Sequence, residues 1–209
     1  MNTMKKTSLV LVAGLVIGAV ITTAIRYVVY KPDIVHYHAN FALYINDKRD
    51  LFQGPGFYEE VSACTSGKVD NPRTRVHLHD NNPGLVHVHT HGVVWSDLFA
   101  NLGYGLSDKA VTTTDGVYAD GQDGNTLTFM LNGKPVTSIA DKLIKSEDKL
   151  LINYGNDDAV TLAMHVLAIP TDAHKANTEN DPSTCSGSRP LTTSERLKAA
   201  LGVAPQMSH

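Results

Sequence analysis

Val35-His-Tyr-His-Ala-Asn-Phe-Ala-Leu-Tyr-Ile45 is the stretch on which the fold turns, together with Arg75-Val-His-Leu-His79 and Leu85-Val-His-Val-His-Thr-His91. In the first run Val35, Tyr37, Ala39, Phe41, Leu43 and Ile45 fall on one face, and His36, His38, Asn40, Ala42, Tyr44 and Asn46 on the other. Successive side chains of a strand point to opposite faces, so this period of two predicts a half-buried strand that Asn46-Asp47 ends. The other two runs alternate on either side of Asp80-Asn-Asn-Pro-Gly84, which predicts a β-hairpin.

Burial fixes the register of that hairpin. Val76 and Leu78 oppose the histidines on one strand, and Val86 and Val88 oppose them on the other. Both apolar faces must point to the core, so paired residue numbers must sum to an even number, as in His77 with His87 and His79 with Leu85. A loop of three or five residues satisfies this. A loop of four would split the two histidine sets between faces. The expected result is an exposed surface of about 10 Å by 15 Å carrying His77, His79, His87, His89 and His91. If the strand from Val35 lies beside the hairpin, His36 and His38 join it.

Directly opposed Cβ atoms lie about 4.5–5.5 Å apart, so two imidazoles can converge on one ion with metal–nitrogen bonds near 2.0–2.1 Å. Imidazole ligation suits Zn(II), Cu(II) or Ni(II), and the lack of a thiolate points away from Cu(I) unless Met130 or Met164 lies close. The candidate metal ligands are therefore His36, His38, His77, His79, His87, His89 and His91, holding zinc or copper. Asp80 and Asp97 are candidates for a fourth ligand or for hydrogen-bonding the ligands. The alternatives are a pH-sensitive histidine patch or a polar sheet face covered by another element. His165, in an apolar run, reads as a satisfied core residue, and His174 and His209 as bystanders.

Further along, Gln53 to Pro72 is loop-rich, and Val93 to Leu102 has helical spacing in Trp95, Leu98, Phe99 and Leu102, with Gly103 as its stop. Thr126 to Leu131 runs into the hairpin turn Asn132-Gly133. Ser138 to Ile144 is expected as a short helix and Lys149 to Tyr154 as a strand. Val160 to Ile169 fits either state. Thr171 to Pro190 is polar and turn-rich, and Ser194 to Leu201 is expected as a helix capped by Thr193 or Ser194. The fold class is α+β, a β-rich domain behind one transmembrane helix. The element order, and the stretch from Asn132-Gly133 to Gly155, resemble the β-grasp (ubiquitin-like) superfold.

At the N-terminus, Thr7 to Ile25 carries no charge across its 19 residues. As a helix it would be about 28 Å long, close to the hydrocarbon thickness of a bilayer. Thr22-Thr23-Ala24 is a poor cleavage site and Arg26 follows it, so an uncleaved signal anchor is expected, in contact with lipid through residues 7–25. Lys5 and Lys6 on one flank nearly balance Arg26 and Lys31 on the other, leaving orientation open by charge. The short N-terminal tail and the cysteine pair favour a domain outside the cytoplasm. Gly14 and Gly18 form a G-x-x-x-G, a spacing common by chance.

The chain thus divides into 1–30 (tail and anchor), 31–170 (α+β domain) and 171–209 (turn-rich extension with a short helix). Its 209 residues are 42% hydrophobic and 19% charged, with a net charge of −3 and no basic block, which argues against a nucleic-acid partner. Cys64 and Cys185 form no C-x-x-C. They are either free thiols or one long-range disulfide, which an oxidising compartment favours and which would contribute roughly 3–5 kcal/mol.

His36-Tyr-His38-Ala-Asn-Phe41, His77-Leu-His-Asp80, His87-Val-His-Thr-His-Gly92 and Asp181-Pro-Ser-Thr-Cys-Ser-Gly187 together resemble a group of small membrane-anchored hypothetical proteins of uncultivated bacteria and archaea. The resemblance spans most of the soluble domain. It implies that the histidine strands and the Cys185 loop belong to one unit, and it carries no established activity.

No G-x-S-x-G, H-E-x-x-H, phosphate loop or dinucleotide fingerprint occurs, and Asp120 to Asn125 lacks the glutamate of a calcium loop. The expected function is accordingly a membrane-tethered metal-binding protein for capture, buffering or delivery of copper or zinc. A metalloenzyme and a cell-surface interaction module are the alternatives. A concave pocket with a carboxylate such as Asp80 facing the metal would favour the enzyme.

Overall fold

A computed structural model describes residues 2–30, 35–58, 72–179 and 192–203. They form two compact units, one of the N-terminal helix with the last helix and one of everything between. Cys64, Cys185 and His209 lie outside the described residues, so the disulfide expectation does too.

In the first unit, α1 (Asn2–Val29) contains one segment, Ser8–Val29, that is long and apolar enough to cross a membrane. The same length and composition suit a signal sequence. The last helix of this unit spans Thr193–Ala200. It is capped by Thr192, one residue earlier than expected, because the Thr192 hydroxyl accepts from the Glu195 N–H while the Glu195 carboxylate accepts from the Thr192 N–H. The Arg26 guanidinium donates to the Ala199 carbonyl at 3.4 Å, a cation placed where the helix dipole favours one.

The second unit is built on a seven-stranded sheet. β1 (Tyr37–Ile45) turns at Asn46-Asp47, both with positive φ, into β2 (Lys48–Arg49), a short strand the alternation alone did not disclose. β3 (Val76–Leu78) and β4 (Leu85–Val88) form the hairpin, and α2 (Trp95–Asn101) follows, ending at Gly103 with φ +75°. β5 (Gly105–Leu106), β6 (Ala110–Thr112) and β7 (Val117–Ala119) make a separate small sheet. β8 (Thr126–Leu131) and β9 (Lys134–Val136) flank Asn132-Gly133, whose φ values of +53° and +75° suit a tight hairpin turn. β10 (Lys149–Gly155), α3 (Ala159–Leu167) and α4 (Ala173–Thr178) complete the unit. Ser138 to Ile144 is not a helix. It is a run of turns held by the Asp108 carboxylate, which accepts from the Ile139 and Ala140 N–H groups, and by a bridge between Val94 and Leu143.

The main strand order is β3-β4-β1-β10-β8-β9. β10 runs parallel to β1 at the centre and every other pairing is antiparallel. This is the expected α+β, β-rich arrangement, with the last strand of the main sheet beside the first and α2 between the β3–β4 and β8–β9 hairpins.

Both faces of the sheet are covered. On one, Ala39, Phe41, Leu43, Val76, Leu78, Val86, Val88, Leu150 and Ile152 pack against Trp95, Leu98 and Phe99 of α2. On the other, Ala42, Tyr44 and Leu151 meet Ile169 and the Leu162 and Val166 side chains of α3. α4 lies over the rest of that face, against β1. β1 is therefore buried on both sides rather than half-buried as its alternation suggested. Its second face was not left for water, because small and aromatic residues there receive the apolar side of a helix.

Candidate metal centre

The hairpin pairs Val76 with Val88, His77 with His87 and Leu78 with Val86, the even-sum register that burial of the apolar face requires. β1 pairs with the other edge of β4, placing His38 opposite His87. His38, His87 and His77 thus form one row across three strands, at the usual strand spacing of about 4.7–4.9 Å. His36 and His89 lie two residues further along the same face, and their rings stack with centroids 4.8 Å apart.

This face is not exposed, contrary to the expectation from sequence. His38, His77, His79 and His87 retain no more than 3% of their surface. The cover comes from the polar segment after α3. Asp172 accepts from Asn40 Nδ2 at 2.5 Å and from Asn82 Nδ2 at 2.6 Å. The Ala173 N–H donates to Asn40 Oδ1 at 3.0 Å. Asn177 Oδ1 accepts from both the His38 backbone N–H and His38 Nδ1, each at 2.8 Å. Hydrogen bonds rather than apolar contacts seat α4 over the histidines, so hydrophobic patterning gave no sign of it.

These contacts fix the protons. Because Asn177 Oδ1 already accepts a backbone N–H, and Asn177 Nδ2 donates to Ser146 Oγ, His38 Nδ1 must be a donor. His38 Nε2 then holds a lone pair. His87 Nδ1, 3.1 Å from it, carries the proton between them. His77 Nδ1 donates to the Arg73 carbonyl at 2.7 Å, which leaves its Nε2 as a lone pair. His77 Nε2 and His89 Nε2 are buried and have no hydrogen-bond partner. An unpartnered buried polar nitrogen is costly, typically about 1–3 kcal/mol, so two of them facing one cluster call for an explanation.

Two sets of three imidazoles place their ligating nitrogens within 4.8 Å of one another: His36, His38 and His87, and His77, His87 and His89. His87 belongs to both. His77, His87 and His89 all shift in the same direction. Burial, reinforced by the neighbouring imidazoles, holds His77 down to about 4 and His89 to about 2, and depresses His87 as well. For His77 the hydrogen bond to the Arg73 carbonyl opposes the shift without cancelling it. Burial therefore holds His77, His87 and His89 uncharged at neutral pH, the state in which imidazole can donate to a metal.

The remaining predicted ligands lie at the margin. His79 is buried 5.1 Å, ring to ring, from both His77 and His87, but falls in neither set of three. Its Nδ1 is 3.8 Å from the exposed Asp80 carboxylate. His91 lies beyond β4, is exposed and joins neither set. Asp97 is at the start of α2, where its carboxylate accepts the Val94 N–H at 3.0 Å. Met130 packs beside Leu151, and Met164 is exposed on α3. His165 is a satisfied core residue, stacked on Tyr44 at 3.7 Å and bonded to Asn153 and Asp47. His174 pairs with Glu147 at the surface. His38, His79 and His87 line a cavity of about 220 Å³ together with Asp80, Asp172, Lys175 and Glu179.

The architecture defines an α+β domain carrying a largely buried cluster of imidazoles that could hold a metal ion, preceded by a helix able to span a membrane. Comparison with protein-family models, with curated proteins and with solved structures finds no match.

Proposed function

We propose that this protein is a membrane-anchored, extracytoplasmic domain that binds copper or zinc on its histidine face, in capture, buffering or delivery. The observation that carries the reading is the pair of buried, unpartnered nitrogens, His77 Nε2 and His89 Nε2, facing the same cluster as His87. A metal ion would satisfy both. The hydrogen bond from His77 Nδ1 to a backbone carbonyl is the usual support of a metal-bound imidazole. Anchoring would come from Ser8–Val29, and Cys64 and Cys185 are proposed to pair in an oxidising space.

The test is metal content of the full chain in detergent, after exchange against a chelator of known affinity. Wild type is expected to retain copper or zinc stoichiometrically, and His77→Ala/His87→Ala to lose it. Weak binding that is equal in both proteins would refute the reading.

A second reading, a hydrolytic metalloenzyme, is favoured by one feature, the cavity in which Asp80 stands with His38, His79 and His87. Metal-dependent ester hydrolysis that disappears in Asp80→Asn, with metal content unchanged, would establish it. The cover over the histidines weighs against an interaction module that uses them as an open surface.

A further inference from the structure

We infer that the cluster holds two metal ions, bridged by the His87 ring. The inference rests on the metal-binding reading above and extends it. Two three-imidazole sets share this one residue, and the two nitrogens of an imidazole point away from each other. His87 Nδ1 faces His38 Nε2 at 3.1 Å. Two nitrogens bound to one tetrahedral ion at 2.0–2.1 Å are about 3.3 Å apart, so this pair already has the spacing of neighbouring ligands. His36 completes that set from the preceding turn of the pleat. His87 Nε2 remains for the other set, with His77 and His89.

The protons set the order of filling. Without metal, His87 Nδ1–H donates to His38 Nε2, so the lone pair of His87 lies on Nε2. The first ion therefore goes to His77, His87 and His89, where the nitrogens of His77 and His87 need lose no proton. For the second ion, a metal–Nδ1 bond forms as the Nδ1–H bond breaks, and the proton passes to solvent. No electron is transferred. The bridging ring is then an imidazolate, with the ions about 6 Å apart from two metal–nitrogen bonds and the ring between them. The second cation arrives where carboxylates gather, since His38 and His87 share their cavity with Asp80, Asp172 and Glu179. His38 stays anchored through Nδ1 to Asn177 while its Nε2 binds.

Titrating the full chain in detergent with Cu(II) tests this, with bound copper counted and the paramagnetic signal integrated at each addition. Two equivalents are expected. The first should give full spin intensity, and the second should reduce the total, because an imidazolate couples the two ions antiferromagnetically. His36→Gln should keep the first equivalent and its full signal and weaken the second by at least about tenfold, so that the loss of spin appears only at correspondingly higher copper. One equivalent in wild type, lost in His87→Ala, would overturn the bridge and leave the metal-binding reading intact. Two equivalents with additive spin would also overturn it. No stoichiometric copper or zinc would defeat the metal reading itself.

Discussion

On the α2 side of the sheet, Phe41, Val76, Leu78, Val86 and Val88 are fully buried among apolar neighbours. On the other side of the same strands His38, His77 and His87 are as deeply enclosed, yet they meet other imidazoles and the polar side chains of the α4 segment. Equal burial thus does two kinds of work. The first face gains free energy from excluding water, at roughly 25 cal/mol per Å² of apolar surface. The second face gains little in this way, keeps polar nitrogens unpartnered, and holds His77, His87 and His89 neutral against their ordinary basicity. The comparison shows which face stabilises the domain and which carries chemistry that burial alone does not reward.

The largest effect should come from the apolar face. Phe41→Ala removes a ring packed against Phe52, Trp95 and Phe99, and should destabilise the domain by about 3–5 kcal/mol in denaturant unfolding. A loss below about 1 kcal/mol would mean that this face is not the core.

The pH response separates the faces next, since only one of them titrates. Above about pH 6.5 His77 is neutral in both folded and unfolded chains, and nothing is lost. Between that value and about 4 only the unfolded chain takes up the proton, so stability falls as pH falls. Below about 4 folded His77 is protonated too and its contribution levels off, after a loss on the order of 3 kcal/mol. His89, held to about 2, extends the decline further into acid. Unfolding of chelator-treated protein between pH 7 and pH 4 is the check. A flat profile would contradict buried neutral imidazoles.

How much of this could be read from sequence also differs between the faces. The apolar face was legible, because alternation in Val76, Leu78, Val86 and Val88 fixed the parity, and the parity fixed His77 against His87. The grouping of histidines was legible for the same reason. Their burial was not. The cover is tied down by Asp172, Ala173 and Asn177, in a segment whose polar composition reads as a surface loop. Asp172 and Asn177 are the site residues that sequence reasoning missed, and no periodic signal marks a side chain that acts through one hydrogen bond. β5, β6 and β7 escaped notice because strands of two or three residues are too short to show alternation.

A substitution that costs the histidine face its chemistry without its shape would sharpen the contrast. His89→Leu removes a ring whose Nε2 has no partner and replaces it with apolar volume. The metal-free domain should be as stable as wild type or slightly more so, because the loss of an unpartnered polar atom offsets the change in packing. Metal affinity should fall by about 10- to 100-fold, read by chelator competition. If stability falls steeply while affinity holds, the ring is a packing element and the division between the faces fails.

The smallest effect concerns the cover on the second face. Asp158 caps α3, its carboxylate accepting the Thr161 N–H at 2.8 Å and held below the usual carboxylate range by that bond. Asp158→Ala should destabilise α3 only slightly. The cost should appear as fraying of α3, followed by amide exchange at Leu162 and Val166, the residues that pack on Tyr44 and Leu151. Exchange in β3 and β4 should be unchanged, because α4, not α3, lies over the histidines. Loosening that spread to His77 and His87 would mean that the two helices cover the second face as one cooperative piece, and that the histidine cluster shares its stability with the apolar patch beside it.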